Sequence, residues 1–201
     1  MMILRSSPAS PFGRKVRIAA SVLGLDKEIL IEAADPTDPA DPVRRQNPLG
    51  KIPVLIAEDG TAIYDSRVIL DYLDHRAGGG RIIPAEPAAR LAALRLQALC
   101  DGLLDAALLR VYEGRWRKPD RHEPNWVDHQ TGKIDRALAA LEADVPRAEP
   151  IQIGQIALAC ALGYLDLRFE GRWRKDCPRL VAWLDAFASA VPSFATTRIA
   201  A

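Results

Sequence analysis

The stretch Asn47-Pro48-Leu49-Gly50-Lys51-Ile52-Pro53-Val54-Leu55-Ile56, followed at Asp65-Ser66 by a second polar pair, decides the reading of this 201-residue chain. A turn at Asn47 to Gly50 delivers the backbone to Lys51-Ile52-Pro53, and Val54-Leu55-Ile56 has the length and composition of a strand. Pro53 donates no backbone N–H, so it suits the first position of that strand and keeps Ile52 extended. The N–H and C=O of Ile52 are then free to pair with something other than the sheet, such as a short extended peptide.

Working outward, residues 2–5 and 28–32 read as strands bracketing a helix over residues 11–23, in which Phe12, Val16, Ala19 and Leu23 recur at helical spacing. Ser10 before Pro11 is an N-cap and first-turn pair, and Gly24 is a natural left-handed stop. Residues 53–56 and 61–64 flank Asp59-Gly60, the strongest hairpin signal in the chain, and Ser66 opens a helix carrying Ile69, Leu70 and Leu73. This order makes a thioredoxin-like α/β unit over residues 1–78. Gly78-Gly79-Gly80, Pro84 and Pro87 mark a linker. Residues 88–201 then read as an all-helical domain, with helices at 88–117, 126–145, 153–169 and 177–190, the third apolar on nearly every side and central to the bundle. The loop Asp35-Pro36, Asp38-Pro39, Asp41-Pro42 holds at most one helical turn.

Composition narrows the function. Charged residues are 26% and hydrophobic ones 49%, which is a globular protein with a real core. A net charge of +1 supplies no global field for nucleic acid or an anionic membrane. No apolar run reaches the roughly 18 residues of a spanning helix, and the first residues lack a secretory signal, so a cytoplasmic location is expected. Cys100, Cys160 and Cys177 form no Cys-x-x-Cys pair and stand away from His75, His122 and His129, so neither a disulfide framework nor a metal site is expected. Gly-Arg-Trp-Arg-Lys occurs twice, at 114–118 and 171–175. It reads either as two basic helix ends with Trp packed at the bundle edge or as a basic, aromatic surface cluster for an anion or a nucleic-acid strand.

Three segments carry a family resemblance. Asn47 to Pro53 with Asp65-Ser66 resembles the N-x-x-G-K-[IV]-P turn and following [ED]-S pair of the glutathione transferase superfamily. Ser10-Pro11-Phe12-Gly13-Arg14-Lys15-Val16 resembles the opening of its serine-type bacterial members, especially the YibF-like group. Ala157 to Leu165 resembles their central C-terminal helix. The resemblance implies a cis Pro53, a homodimer, and a cleft for glutathione with a small hydrophobic electrophile as second substrate. It implies that Ser10 is the catalytic donor to the glutathione sulfur, beside Phe12. Lys51, Ile52, Pro53, Asp65 and Ser66 would then hold the tripeptide. Members usually begin the central helix with a Ser/Thr cap and an Asp three residues on; the positions here are expected at Gln155 and Leu158, a departure that removes about 1 kcal/mol of capping.

The chemistry asked of such a site is definite. A thiol of pKa near 8.5 is only about 3% ionised at pH 7. A hydroxyl hydrogen bond to the thiolate, roughly 1.5–3 kcal/mol, plus a helix N-terminus, typically 0.3–1 kcal/mol, lowers that pKa by about two units. Each candidate also has a structural reading. Ser10 can merely cap its helix, with Ser6 and Ser7 as the donor if the register slips. Ser66 can be an N-cap with Asp65 in the first turn, and Lys51 a solvated turn residue. Asp101 and Asp105 interrupt the apolar stripe of Leu94, Ala98, Leu108 and Tyr112, which fits a wet cleft, a partner-subunit contact or an interface salt bridge. Tyr112 and Trp116 suit an acceptor pocket or core packing. No cysteine stands at position 10, so conjugation or peroxide reduction through bound glutathione is expected rather than disulfide exchange on a protein thiol. A non-enzymatic glutathione-binding scaffold of the same fold is the alternative.

Overall fold

The computed structural model describes residues 1–199. Strands β1 (Met2–Ser6), β2 (Ile29–Ala33), β3 (Val54–Ile56) and β4 (Ala62–Ile63) form one sheet in the order β2-β1-β3-β4. β1 runs parallel to β2 and antiparallel to β3, and β3 is antiparallel to β4. Helices α1 (Pro11–Leu23) and α3 (Ser66–Arg76) pack together, their apolar sides joining Met2, Leu4 and Leu55 of the sheet. The short α2 (Val43–Gln46) covers the opposite face, where Val54 meets Ala34 and Val43. The period-2 alternation of Val54 and Leu55 between the two clusters is the strand geometry expected of that apolar run. The result is a thioredoxin-like sheet domain, as the sequence implied.

The remainder is helical: α4 (Pro87–Trp116), α5 (Pro124–Ala143), α6 (Ile153–Phe169), α7 (Pro178–Ala190) and the single turn α8 (Ser193–Thr196). α6 is buried without interruption from Ile153 to Leu162 and packs against α1, α4 and α7. Its expected bounds hold, but its cap does not. The N-cap residue is Gln152, which makes no side-chain hydrogen bond, and Gln155 lies in the first turn with its Nε2 donating to the Arg147 carbonyl at 3.1 Å. The capping positions therefore fall three residues before the expected Gln155 and Leu158. Burial anchors this helix start, since a Cβ on Gly154 would stand 2.8 Å from Leu96 Cδ2, and the Ile153 N–H donates to the Ile82 carbonyl at 3.0 Å. No described helix is long and apolar enough to cross a membrane.

The linker is held by one carboxylate. Gly78, Gly79 and Gly80 all have positive φ, 101°, 75° and 74°, a path that only glycine follows without strain. That path curls over Asp74, whose buried oxygens accept from the N–H groups of Gly80 at 2.9 Å, Arg81 at 3.0 Å and Ile82 at 2.7 Å. Arg81 in turn donates to the carbonyl of Leu23 at the end of α1, at 3.0 Å. A charged acceptor that satisfies three N–H groups is costly to neutralise. Asp74→Asn is expected to lower stability by about 2–3 kcal/mol in urea unfolding, and a change below about 0.5 kcal/mol would show that the linker holds itself.

Candidate functional site

The sheet topology alone gathers the candidate residues at one edge. β1 ends at Ser6 and leads to Ser10 and α1. β3 starts at Val54 opposite Arg5, so Ile52 and Pro53 lie at that same end, and β4, antiparallel to β3, ends there before Asp65 and α3. In α/β folds the carboxyl ends of strands leave a crevice that takes ligands. The Ile52–Pro53 peptide bond is cis, as the resemblance implied. Among the described residues neither the N–H nor the C=O of Ile52 enters a backbone hydrogen bond, and Asn47 Nδ2 fixes the preceding turn by donating to the Lys51 carbonyl at 2.9 Å.

Ser10 is the N-cap of α1: its Oγ accepts from the Gly13 N–H at 3.1 Å. Capping engages a lone pair of the oxygen and leaves the hydroxyl proton available, so capping and donation are compatible at this serine. Ser6 is buried beneath the first turn, where a side chain on residue 13 would overlap its hydroxyl. At α3 the expected structural roles exchange. Asp65 is the N-cap, accepting from the Arg67 N–H at 2.9 Å, and Ser66 is the first helical residue, its hydroxyl without a partner among the described residues. Partial burial acts to raise the Asp65 pKa. The hydrogen bonds from the Arg67 side chain and N–H outweigh it and hold the carboxyl below its usual value.

Two cations to which the sequence reading gave no role organise the site. Lys15 has no solvent exposure, and its Nζ lies 2.6 Å from Asp101 Oδ1, with Asp101 3% exposed. Arg67 binds Asp65 Oδ2 at 2.9 Å and brings its Nε to 3.9 Å from Asp101 Oδ2. The Lys15 ammonium is also 5.4 Å from the centre of the Phe12 ring. α1, the start of α3 and the middle of α4 are thus joined through charge, and Asp101 stands in a buried ion pair rather than in a wet cleft. Asp105, one turn on, remains exposed. Desolvation and then the Asp101 charge push its carboxyl up, while Arg67, Lys51 and Lys15 pull it down, which sets Lys51 close to this group. A signal for Lys15 was present, since it falls in phase with Ala19 and Leu23 on an apolar stripe.

Tyr112 and Trp116 lie farther along α4 and outside this network. Tyr112 is half-buried with the Arg115 guanidinium 5.3 Å from its ring, and Trp116 is 65% exposed, so it does not pack in the core. The twin pentapeptides have different fates: Trp173 is buried with Nε1 donating to Asp166 at 2.9 Å, whereas Trp116 projects from the last turn of α4. All three cysteines are free and buried, and burial raises each thiol, Cys160 to about 12, so none supplies a thiolate.

Comparison with known proteins agrees with this arrangement. The family "Glutathione S-transferase, N-terminal domain" matches residues 4–81, and "Glutathione S-transferase, C-terminal domain" matches residues 124–186. The uncharacterized GST-like protein YibF of Escherichia coli (strain K12) is 33% identical, with 98% of each chain covered. A glutathione transferase family member from Pseudomonas fluorescens Pf-5, solved with bound glutathione, is 42% identical with a TM-score of 0.93 over all of both chains. The same family member was also solved with bound S-(propanoic acid)-glutathione, at a TM-score of 0.89 and the same coverage. A glutathione S-transferase from Methylobacillus flagellatus KT with glutathione bound is 38% identical, with a TM-score of 0.91 and full coverage of both chains.

The charge network makes two predictions. Asp101→Leu leaves Lys15 buried without a counter-charge and is expected to cost about 3–5 kcal/mol in urea unfolding, most of it recovered by adding Lys15→Met; a double variant no better than the single would remove the ion pair as the cause. For Asp105 the folded pKa is raised, so its ionised form opposes folding, and stability falls as pH rises from the unfolded value near 4 through the higher folded one. Asp105→Asn is therefore expected to raise the melting temperature at pH 7 and to match the parent at pH 3, whereas an equal effect at both pH values would rule out titration.

Proposed function

Because the chain belongs to the glutathione S-transferase family, we propose that it binds glutathione at the Pro53 end of the sheet and conjugates its sulfur to a small electrophile. Residues 1–78 then supply the glutathione site and residues 88–201 the acceptor side. The observation that carries this reading is Ser10: its oxygen is engaged by the Gly13 N–H, its proton is free, and it stands at the positive end of a 13-residue helix. A thiolate placed there receives the hydroxyl proton as a hydrogen bond and lies against the unpaired N–H groups of the first turn.

The rest of the tripeptide is matched group by group. The unpaired Ile52 N–H and C=O suit the cysteinyl residue in extended pose, and Lys51 suits the glycyl carboxylate. Asp65, held ionised by Arg67, suits the γ-glutamyl ammonium. The partnerless Ser66 hydroxyl and the N–H groups opening α3 suit its carboxylate. A thiolate pKa lowered by about two units raises its fraction at pH 7 about 25-fold, but the weaker nucleophile returns about tenfold at a Brønsted slope near 0.5. Most of the acceleration therefore comes from holding an electrophile against the sulfur. The thioether bound by the Pseudomonas family member supports conjugation as the reaction class.

A homodimer completes the proposal. Val68, Leu91 and Leu99 expose apolar surface on α3 and α4, which supports a second copy seated on that face. Three unpaired cysteines fit a reducing cytoplasm. Ser10→Ala is expected to lower glutathione conjugation at pH 7 by about 10- to 1,000-fold, with calorimetric affinity for glutathione little changed. Unaltered turnover in a folded variant would refute the role of Ser10, and glutathione binding by the parent without turnover of any electrophile would make the protein a scaffold.

A further inference from the structure

A cavity of about 200 Å³ opens beside Ser10, between the β1–α1 loop, α6, α7 and the segment after α8. Its wall includes Pro8, Ser10, Pro11, Arg14, Gly163 and Arg198. Arg14 is the unusual member. It is 91% buried, its relative exposure being 9%, yet no carboxylate of the described residues pairs with it. Its Nε donates to Thr197 Oγ1 at 3.2 Å, its Nη2 donates to the Phe194 carbonyl, and its guanidinium carbon lies 4.1 Å from the centre of the Phe194 ring. These partners are neutral. Nη1 donates to no described residue and occupies space that only glycine at 163 leaves, since a Cβ there would stand 2.5 Å away.

The neighbouring charges do not neutralise it. Burial lowers the Arg14 pKa, and Arg198 and Arg17 lower it further. Two carboxylates line the same cavity, Asp166 and Asp185, and neither pairs with Arg14: Asp166 is bound by Arg174 at 2.6 Å and by Trp173 at 2.9 Å, and Asp185 acts on Arg174. A buried cation held only by neutral groups keeps an unmet demand for an anion. The cavity, about 200 Å³ and open to solvent, has room for a small organic acid.

We infer that this cavity is the acceptor subsite and that the electrophile it takes is a small α,β-unsaturated carboxylate, its carboxylate on Arg14 and Arg198 and its β-carbon toward the sulfur at Ser10. The inference rests on the transferase reading above and sharpens it from a hydrophobic acceptor to an anionic one. In the reaction the thiolate forms a C–S bond at the β-carbon and the C=C π pair moves to the α-carbon and onto the carboxylate. The α-carbon then takes a proton from water, replacing the one the thiol released, so the sum is addition of glutathione across the double bond. Negative charge grows on the carboxylate in the transition state, where paired guanidinium groups stabilise it more than in the ground state. A free carboxylate otherwise deactivates such a double bond.

The test compares acrylate with acrylamide as acceptors, and separately titrates the unreactive propanoate and propanamide into the glutathione-saturated protein by calorimetry. The parent is expected to bind propanoate and not propanamide, and to favour acrylate by at least tenfold over the uncatalysed preference. Arg198→Ala, an exposed position, and Arg14→Lys are expected to reduce the acrylate-to-acrylamide ratio of kcat/KM at least tenfold and to weaken propanoate binding in parallel. Turnover of both acceptors at the uncatalysed ratio, with no propanoate binding, overturns the anionic subsite and leaves the transferase standing. Propanoate binding lost in both variants, with neither acceptor consumed, keeps the anion site and overturns conjugation. Should Arg14→Lys fail to fold, Arg198→Ala alone decides, and an unchanged ratio there refutes the pairing.

Discussion

A lysine with no contact with water has to meet its counter-charge inside the protein, and Lys15 meets it on Asp101, 2.6 Å away across the boundary between the sheet domain and the helical bundle. The pair joins the apolar packing of Val16, Ile18, Ala19, Ala20 and Leu23 in fixing α1. Rotating the helix would carry the ammonium away from its carboxylate and among apolar neighbours, so the pair helps to set the azimuth of Phe12, Ser10 and Arg14. Such a pair adds little net stability over a well-packed apolar substitute; its contribution is a unique docking of two layers.

The cleft follows from that docking together with the sheet. Because β1, β3 and β4 alternate in direction, the end of β1, the start of β3 and the end of β4 coincide, and two helices begin where the chain leaves that edge. Helix starts carry unpaired N–H groups, and the cis Ile52–Pro53 turn adds an unpaired peptide unit between them. In the proposed function, these are the donors that an anionic, extended, peptide-like ligand would meet. Asp65 shows the same economy: one oxygen caps α3 while the other orients Arg67 toward Asp101.

Arg14 and Lys15 are adjacent in sequence, both buried, and treated oppositely by the fold. Lys15 is neutralised by a carboxylate of the chain, whereas Arg14 receives a carbonyl, a hydroxyl and an aromatic face. The first is the chemistry of a structural pin. The second leaves a directed positive charge on a small cavity next to Ser10, where a side chain at 163 would collide with the Arg14 guanidinium.

The sequence by itself determined the elements whose causes are local. Periodicity and caps located α1, an uninterrupted apolar run located α6, Pro53 predicted the idle peptide unit at Ile52, and Asp59-Gly60 marked the hairpin, with Gly60 at φ 85°. Ser10 was legible because capping chemistry lies within four residues. The capping positions of α6 at Gln152 and Gln155 were misplaced, since a helix stabilised by burial needs no polar cap to announce its start. Lys15, Arg67 and Asp74 acquired their roles only in three dimensions, each from partners brought close by folding. An in-phase charge on an apolar stripe announces that a partner exists; which residue answers it, and whether any does, is decided by packing between elements far apart in the chain.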